Sequence, residues 1–192
     1  MTIPPTAEAE TMLLTVDDIE ANIGGDPGWR VEPIDYEEGL AGSLRLSCDD
    51  VVLDPTIVER LTADVGIDAG REDGNANLVE FLITGEAEQL SADLDAWLTA
   101  DESCAAEQST SPDTTATRVV ALPQLGDQQY AEAGTCEGWG PDSQSYSALV
   151  RIGTGAIIVR VCEDAVIEGA ELLISDEEFV QLVEAAVAKV SS

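Results

Sequence analysis

The stretch from Tyr146 to Cys162, YSALVRIGTGAIIVRVC, constrains the fold more than any other. Two strand-like runs, Tyr146 to Ile152 and Ala156 to Cys162, flank Gly153, Thr154 and Gly155 at the spacing of a β-hairpin. A chain that carries this hairpin must build an antiparallel sheet around it.

The remaining patterns supply helices before and after that sheet. Thr15 can cap a short helix over Val16 to Ile23, with Asp17 and Asp18 in its first turn and Gly24 and Gly25 at its end. Leu44, Leu46 and Cys48 alternate with Ser43, Arg45 and Ser47, which predicts a strand that turns Cys48 to the core. Ile57, Val58, Leu61 and Val65 recur at helical spacing, so Pro55 to Val65 is expected to be a helix, followed by a loop over Gly66 to Asn77. Leu78 to Thr84 and Arg118 to Leu122 are predicted strands, with an exposed loop over Ser109 to Thr117 before the second. Leu90, Leu94, Trp97 and Leu98 line one face of a helix between the two strands. Ser175 and Glu178 form a capping box that opens a last helix, with Phe179, Val180, Leu182, Val183, Ala186, Val187 and Val190 along one face and Lys189 in its final turn. The pattern predicts an α+β fold: a central, mostly antiparallel sheet flanked by helices. Residues 1–11 read as a flexible tether and 12–190 as one domain.

The 39 acids against 8 cations give a net charge of −31. Such a field repels phosphate backbones and anionic membranes, so no nucleic acid is expected as a partner. Because the acids run through every segment, a solvated surface adapted to high salt is the simpler reading; the alternative is an acidic interaction module that docks a basic protein.

Cys48, Cys104, Cys136 and Cys162 form an even set without a Cys-x-x-Cys pair, and the chain has no histidine to complete a zinc site. Disulfides are the better reading, and they persist outside the reducing cytosol; four reduced core cysteines are the alternative. Met1 to Glu10 lacks the basic and apolar regions of a signal peptide, while TIPPTAEAE resembles the tether that follows a lipid-anchored cysteine. The expected place is extracellular or in the cell envelope, lipid-anchored through a removed N-terminal segment.

Without histidine, the Ser-His-Asp and Cys-His arrangements are impossible, and no Gly-x-Ser-x-Gly elbow occurs. Adjacent acid pairs such as Asp17 and Asp18 do not face one another across a cleft, so no catalytic residue is expected. Asp73, Gly74, Asn75, Asn77 and Glu80 match the second half of a calcium loop, but Ala69 and Arg71 stand where its first carboxylates belong. No metal or cofactor is expected. Trp139, flanked by glycines in CEGWGPD, is the aromatic best placed to meet a ligand; with Tyr146 and Arg151 it marks the expected cleft. Packing of Trp139 over a disulfide and pairing of Arg151 with nearby acids are the structural alternatives. The ligand is an unidentified small molecule or envelope component.

In order, the LLTVDDIEANIG helix, a cysteine on an early strand, a second after a helix, the LPQLGD turn, the ALVRIGTGAIIVRV hairpin and the ISDEEFVQLVEAAVAKV helix resemble the PknH-like extracellular sensor domain. That family comprises ectodomains of actinobacterial serine/threonine kinases and free-standing actinobacterial lipoproteins. The resemblance spans Met12 to Val190 and implies a two-layer α+β domain with a ligand cleft, and bridges from Cys48 to Cys104 and from Cys136 to Cys162. Bridges across 56 and 26 positions would stabilise the fold by about 4 and about 3.5 kcal/mol before strain. This chain contains no kinase domain, and its acid excess exceeds the family's habit.

Overall fold

The computed structural model describes residues 9–23, 28–32, 61–71, 74–92, 94–96, 99, 118–135, 143–165 and 174–191. Among the described residues seven strands form one sheet: β1 (Trp29–Glu32), β2 (Leu61–Arg71), β3 (Gly74–Thr84), β4 (Arg118–Val119), β5 (Gln128–Gly134), β6 (Ser143–Ile152) and β7 (Gly155–Ala165). Their order across the sheet is β1-β2-β3-β7-β6-β5-β4, and every neighbouring pair is antiparallel. The α+β expectation holds.

The predicted hairpin is β6 and β7, joined by Gly153 and Thr154 with Ile152 opposite Gly155. Gly153 takes φ 61°, a conformation that glycine adopts at little cost and that suits a two-residue hairpin turn.

Both faces of the sheet are apolar at its centre. On the first face Ala63, Ile67, Leu78, Leu82, Val159, Val161, Tyr146 and Ala148 pack beneath two helices. One is the N-terminal helix (Val16–Asn22), capped by Thr15 in a capping box with Asp18. The other is the C-terminal helix (Asp176–Ser191), which buries Phe179, Leu182, Val183, Ala186, Val187 and Val190, most of the predicted stripe. Its cap is the predicted Ser175 and Glu178 pair: the Ser175 N–H donates to Glu178 Oε2 at 2.8 Å and the Glu178 N–H to Ser175 Oγ at 3.3 Å. Lys189, the predicted final-turn cation, donates to Asp18 and so ties the two helices together. On the second face Val79, Phe81, Ile83, Leu149, Ala156 and Ile158 meet Leu90 and Leu94 from helical residues 87–92 and 94–96.

The expectations for residues 61–77 and for Arg118 to Leu122 need correction. Residues 61–65 are not helical but open β2, and Gly66 to Asn77 is not a loop: it completes β2 and starts β3. Over Ala63, Val65, Ile67 and Ala69 the apolar residues recur every second position and face the first helix layer, and this period of two prevails over the helical spacing. Arg118 to Leu122 is a strand only at Arg118 and Val119, after which Val120 keeps one ladder bond to Ala131. Within the expected tether, Ala9 is fully buried and Glu10–Met12 form a 3-10 turn. The strand expected around Cys48, the helix over 55–60 and the loop over 109–117 lie outside the described residues, as do Trp97, Leu98, Cys104, Cys136 and Trp139.

Candidate functional site

Side chains alternate across a strand, so the paired register decides which residues share a face. On the second face, Phe81, Ile158 and Leu149 stand side by side, followed one row along by Val79, Arg160, Ser147 and Glu132. The next row holds Asp68, Asn77, Cys162 and Ser145, and the one beyond it Asn75, Asp164 and Ser143. Within about three rows, roughly 20 Å of strand, the face therefore changes from wholly apolar to wholly polar.

This polar half is well ordered by its own contacts. Asn77 donates its side-chain amide to Asp68. Ser145 Oγ donates to the Thr135 carbonyl at 3.2 Å, which holds the end of β5 against the row of Cys162. Tyr130 OH donates to Glu132 Oε2 at 3.3 Å. Glu132, Ser143 and Ser145 are buried, whereas Asp68, Asn77, Ser147, Arg160, Cys162 and Asp164 are half-buried. The half-buried members of this polar half bring together a hydroxyl (Ser147), an amide (Asn77), carboxylates (Asp68, Asp164) and a guanidinium (Arg160) on one face.

The residues singled out in the sequence are placed as follows. Tyr146 lies on the first face, in the core: its ring stacks on Phe179 with centroids 4.7 Å apart, and its hydroxyl bonds Asp176 Oδ1 at 2.9 Å. Burial, reinforced by Asp176, pushes its pKa above the usual phenol range. Arg151 lies on the second face at the rim of the apolar half. Its guanidinium donates to Gln128 Oε1 at 3.3 Å, to Asp127 Oδ2 at 3.4 Å and to the Gly153 carbonyl at 3.2 Å. Those contacts join the β6 to β7 turn to the start of β5, the structural alternative for this arginine. The sheet thus separates Tyr146 from Arg151. Cys162 is half-buried among the polar rows, and no disulfide is shown among the described residues.

Among the described residues, no group of three or more His, Cys, Asp or Glu side chains is placed to hold a metal ion. The half-match to a calcium loop is drawn out along β3, which sends Asn75 and Asn77 to one face and Glu80 to the other.

The burial of three glutamates was not foreseen from the sequence: Glu80, singled out only for the half-match to a calcium loop, Glu132 and Glu163. The signal was present for Glu80, a lone acid inside the apolar run from Leu78 to Ile83. Glu80 and Glu163 face the helices, and Glu132 belongs to the polar half of the second face.

No protein-family model matches the chain. No curated protein matches it. Its structure is similar to the crystal structure of the extracellular domain of PknH from Mycobacterium tuberculosis. The two chains are 16% identical, the match covers 99% of each, and the TM-score is 0.48. No described helix is long and apolar enough to cross a membrane.

Proposed function

We propose that this chain is the exported, non-catalytic sensor-like domain of a bacterial surface lipoprotein, and that it takes its ligand on the polar half of the second sheet face. The observation that carries the reading is the change across that face from Phe81, Ile158 and Leu149 to Arg160, Asn77 and Ser145. A sheet face that needed only packing would have stayed apolar, because polar groups facing a core must each find a partner. The ligand class is neutral and hydroxyl-rich, such as a saccharide of the cell envelope. Serine, asparagine and arginine side chains donate to its hydroxyls and the carboxylates accept from them, while a net charge of −31 disfavours anions.

The test is binding of a panel of neutral oligosaccharides to the intact protein and to Arg160→Met, which keeps the aliphatic stem and removes the guanidinium. The expected result is an affinity loss of about tenfold or more, the worth of one good polar contact, in a variant that still unfolds cooperatively. Equal affinity in both proteins would count against this face.

Export goes with the cysteines, and a bridge from Cys136 to Cys162 is part of the proposal. It is supported by the Ser145 bond to the Thr135 carbonyl, because Ser145 is the register partner of Cys162 and Thr135 directly precedes Cys136. Alkylation with and without reduction, followed by peptide mapping, should find this pair linked and Cys48 linked to Cys104; four alkylated thiols without reduction would remove the argument for export.

A further inference from the structure

The two buried glutamates of the first face do the same job at two places. Leu14, just before the N-terminal helix, donates its N–H to Glu80 Oε2 at 2.6 Å. Ile174, just before the C-terminal helix, donates its N–H to Glu163 Oε2 at 3.2 Å. Each helix then starts with its own capping box, at Thr15 and at Ser175. The C-terminal junction has further holds: the Ile174 carbonyl accepts from Tyr146 OH at 3.3 Å, and Asp176 accepts from Arg118 at 2.6 Å. At the N-terminal junction the bond to the sheet runs through Glu80.

The surroundings of Glu80 determine what its charge can do. It is fully buried, and its second oxygen, Oε1, has no hydrogen-bond partner among the described residues. Its cross-strand neighbours are Val65 on β2 and Val159 on β7. Leu78 and Leu82 flank it on its own strand. The charged groups that act on it are Asp18 from the N-terminal helix and Lys189 from the C-terminal helix, and these two pair with each other. Glu10 in the 3-10 turn is exposed and acts on Asp64. Glu163, on β7, is two rows further along the same face.

We propose that Glu80 is a proton-operated latch: neutral, it holds residues 9–23 to the sheet through Leu14, and ionised it releases them while the sheet stays folded. Among the described residues a carboxylate at this position would have one donor and no contacting counter-ion, whereas the neutral acid loses little there. Burial raises the Glu80 pKa from 4.5 to about 8, against the opposing pull of the Leu14 N–H and Lys189. The folded value lies above the free one, so docking is strongest below the free value, weakens as pH rises towards the folded value and then levels off. The full span from 4.5 to about 8 corresponds to a weakening of up to about three-thousandfold, roughly tenfold per pH unit.

The test is hydrogen exchange of the Leu14 to Ile23 amides in the intact chain, corrected for intrinsic rates, with the β6 and β7 amides as the internal control. In the native protein, protection of Leu14 to Ile23 should fall about fiftyfold between about pH 6 and about pH 8, while β6 and β7 stay constant. In Glu80→Gln, which keeps an acceptor for Leu14 and cannot ionise, the profile should be flat. A flat profile in the native protein, or the same slope in Glu80→Gln, would overturn the latch. If that variant does not fold, the carboxyl carbon of Glu80 can be titrated in the native protein: a midpoint near 8 supports the latch, and one near the ordinary glutamate value overturns it.

Discussion

Tyr146 and Arg151 stand five positions apart on one strand, and the pleat sends an odd separation to opposite faces. Tyr146 therefore serves the core. Its hydroxyl joins the start of the C-terminal helix to the sheet through Asp176, whose own carboxyl is held below the usual range chiefly by Arg118. Tyr146→Phe keeps the stack on Phe179 and removes that bond, so it should destabilise the fold by about 1 to 2 kcal/mol, read as a lower urea midpoint with an unchanged slope. Side-chain chemistry was visible in the sequence, but the side of the sheet was not: parity becomes meaningful only once a strand's start and its neighbours are known. Arg160 shows the same thing, since it shares the hairpin with Arg151 yet lies in the polar half because its strand neighbours are Val79 and Ser147.

Elements with strong local signals were legible. The capping boxes at Thr15 and Ser175 start helices where the sequence places them, and the Gly153 and Thr154 turn joins two long strands. The β2 and β3 hairpin was missed because Leu61 and Val65 also fit a helical period, and because Gly66, Asp68 and Gly70 resemble loop residues. The β5 strand, QQYAEAG, carries small and polar residues and was not predicted. It holds its place by pairing with β6 and through Gln129, whose side chain accepts from Leu125 N–H at 2.7 Å and donates to the Pro123 carbonyl. Gly126 is also required there, because a Cβ would meet the Arg151 carbonyl at 2.4 Å. These are tertiary contacts, which no local window of sequence contains.

At the scale of the molecule, the fold class and the placement of the first and last helices were readable, whereas the candidate site was readable only as a set of residue types. The polar half of the second face gathers Asn77 from β3, Ser145 and Ser147 from β6 and Arg160 from β7, and register alone brings them together. The charge of −31 competes as an explanation for any partner, because a diffuse field attracts basic molecules without a site. Salt separates the two, since diffuse attraction is screened over roughly 10 Å at about 0.1 M and about 3 Å at about 1 M. The most direct measurement is therefore amide-shift mapping of a bound neutral oligosaccharide at both salt concentrations. Binding on the polar half predicts shifts at Asn75 to Asn77, Ser143 to Ser147 and Arg160 to Cys162 that persist in high salt; shifts confined to the helices or the outer acids, or the loss of all shifts with salt, would contradict it.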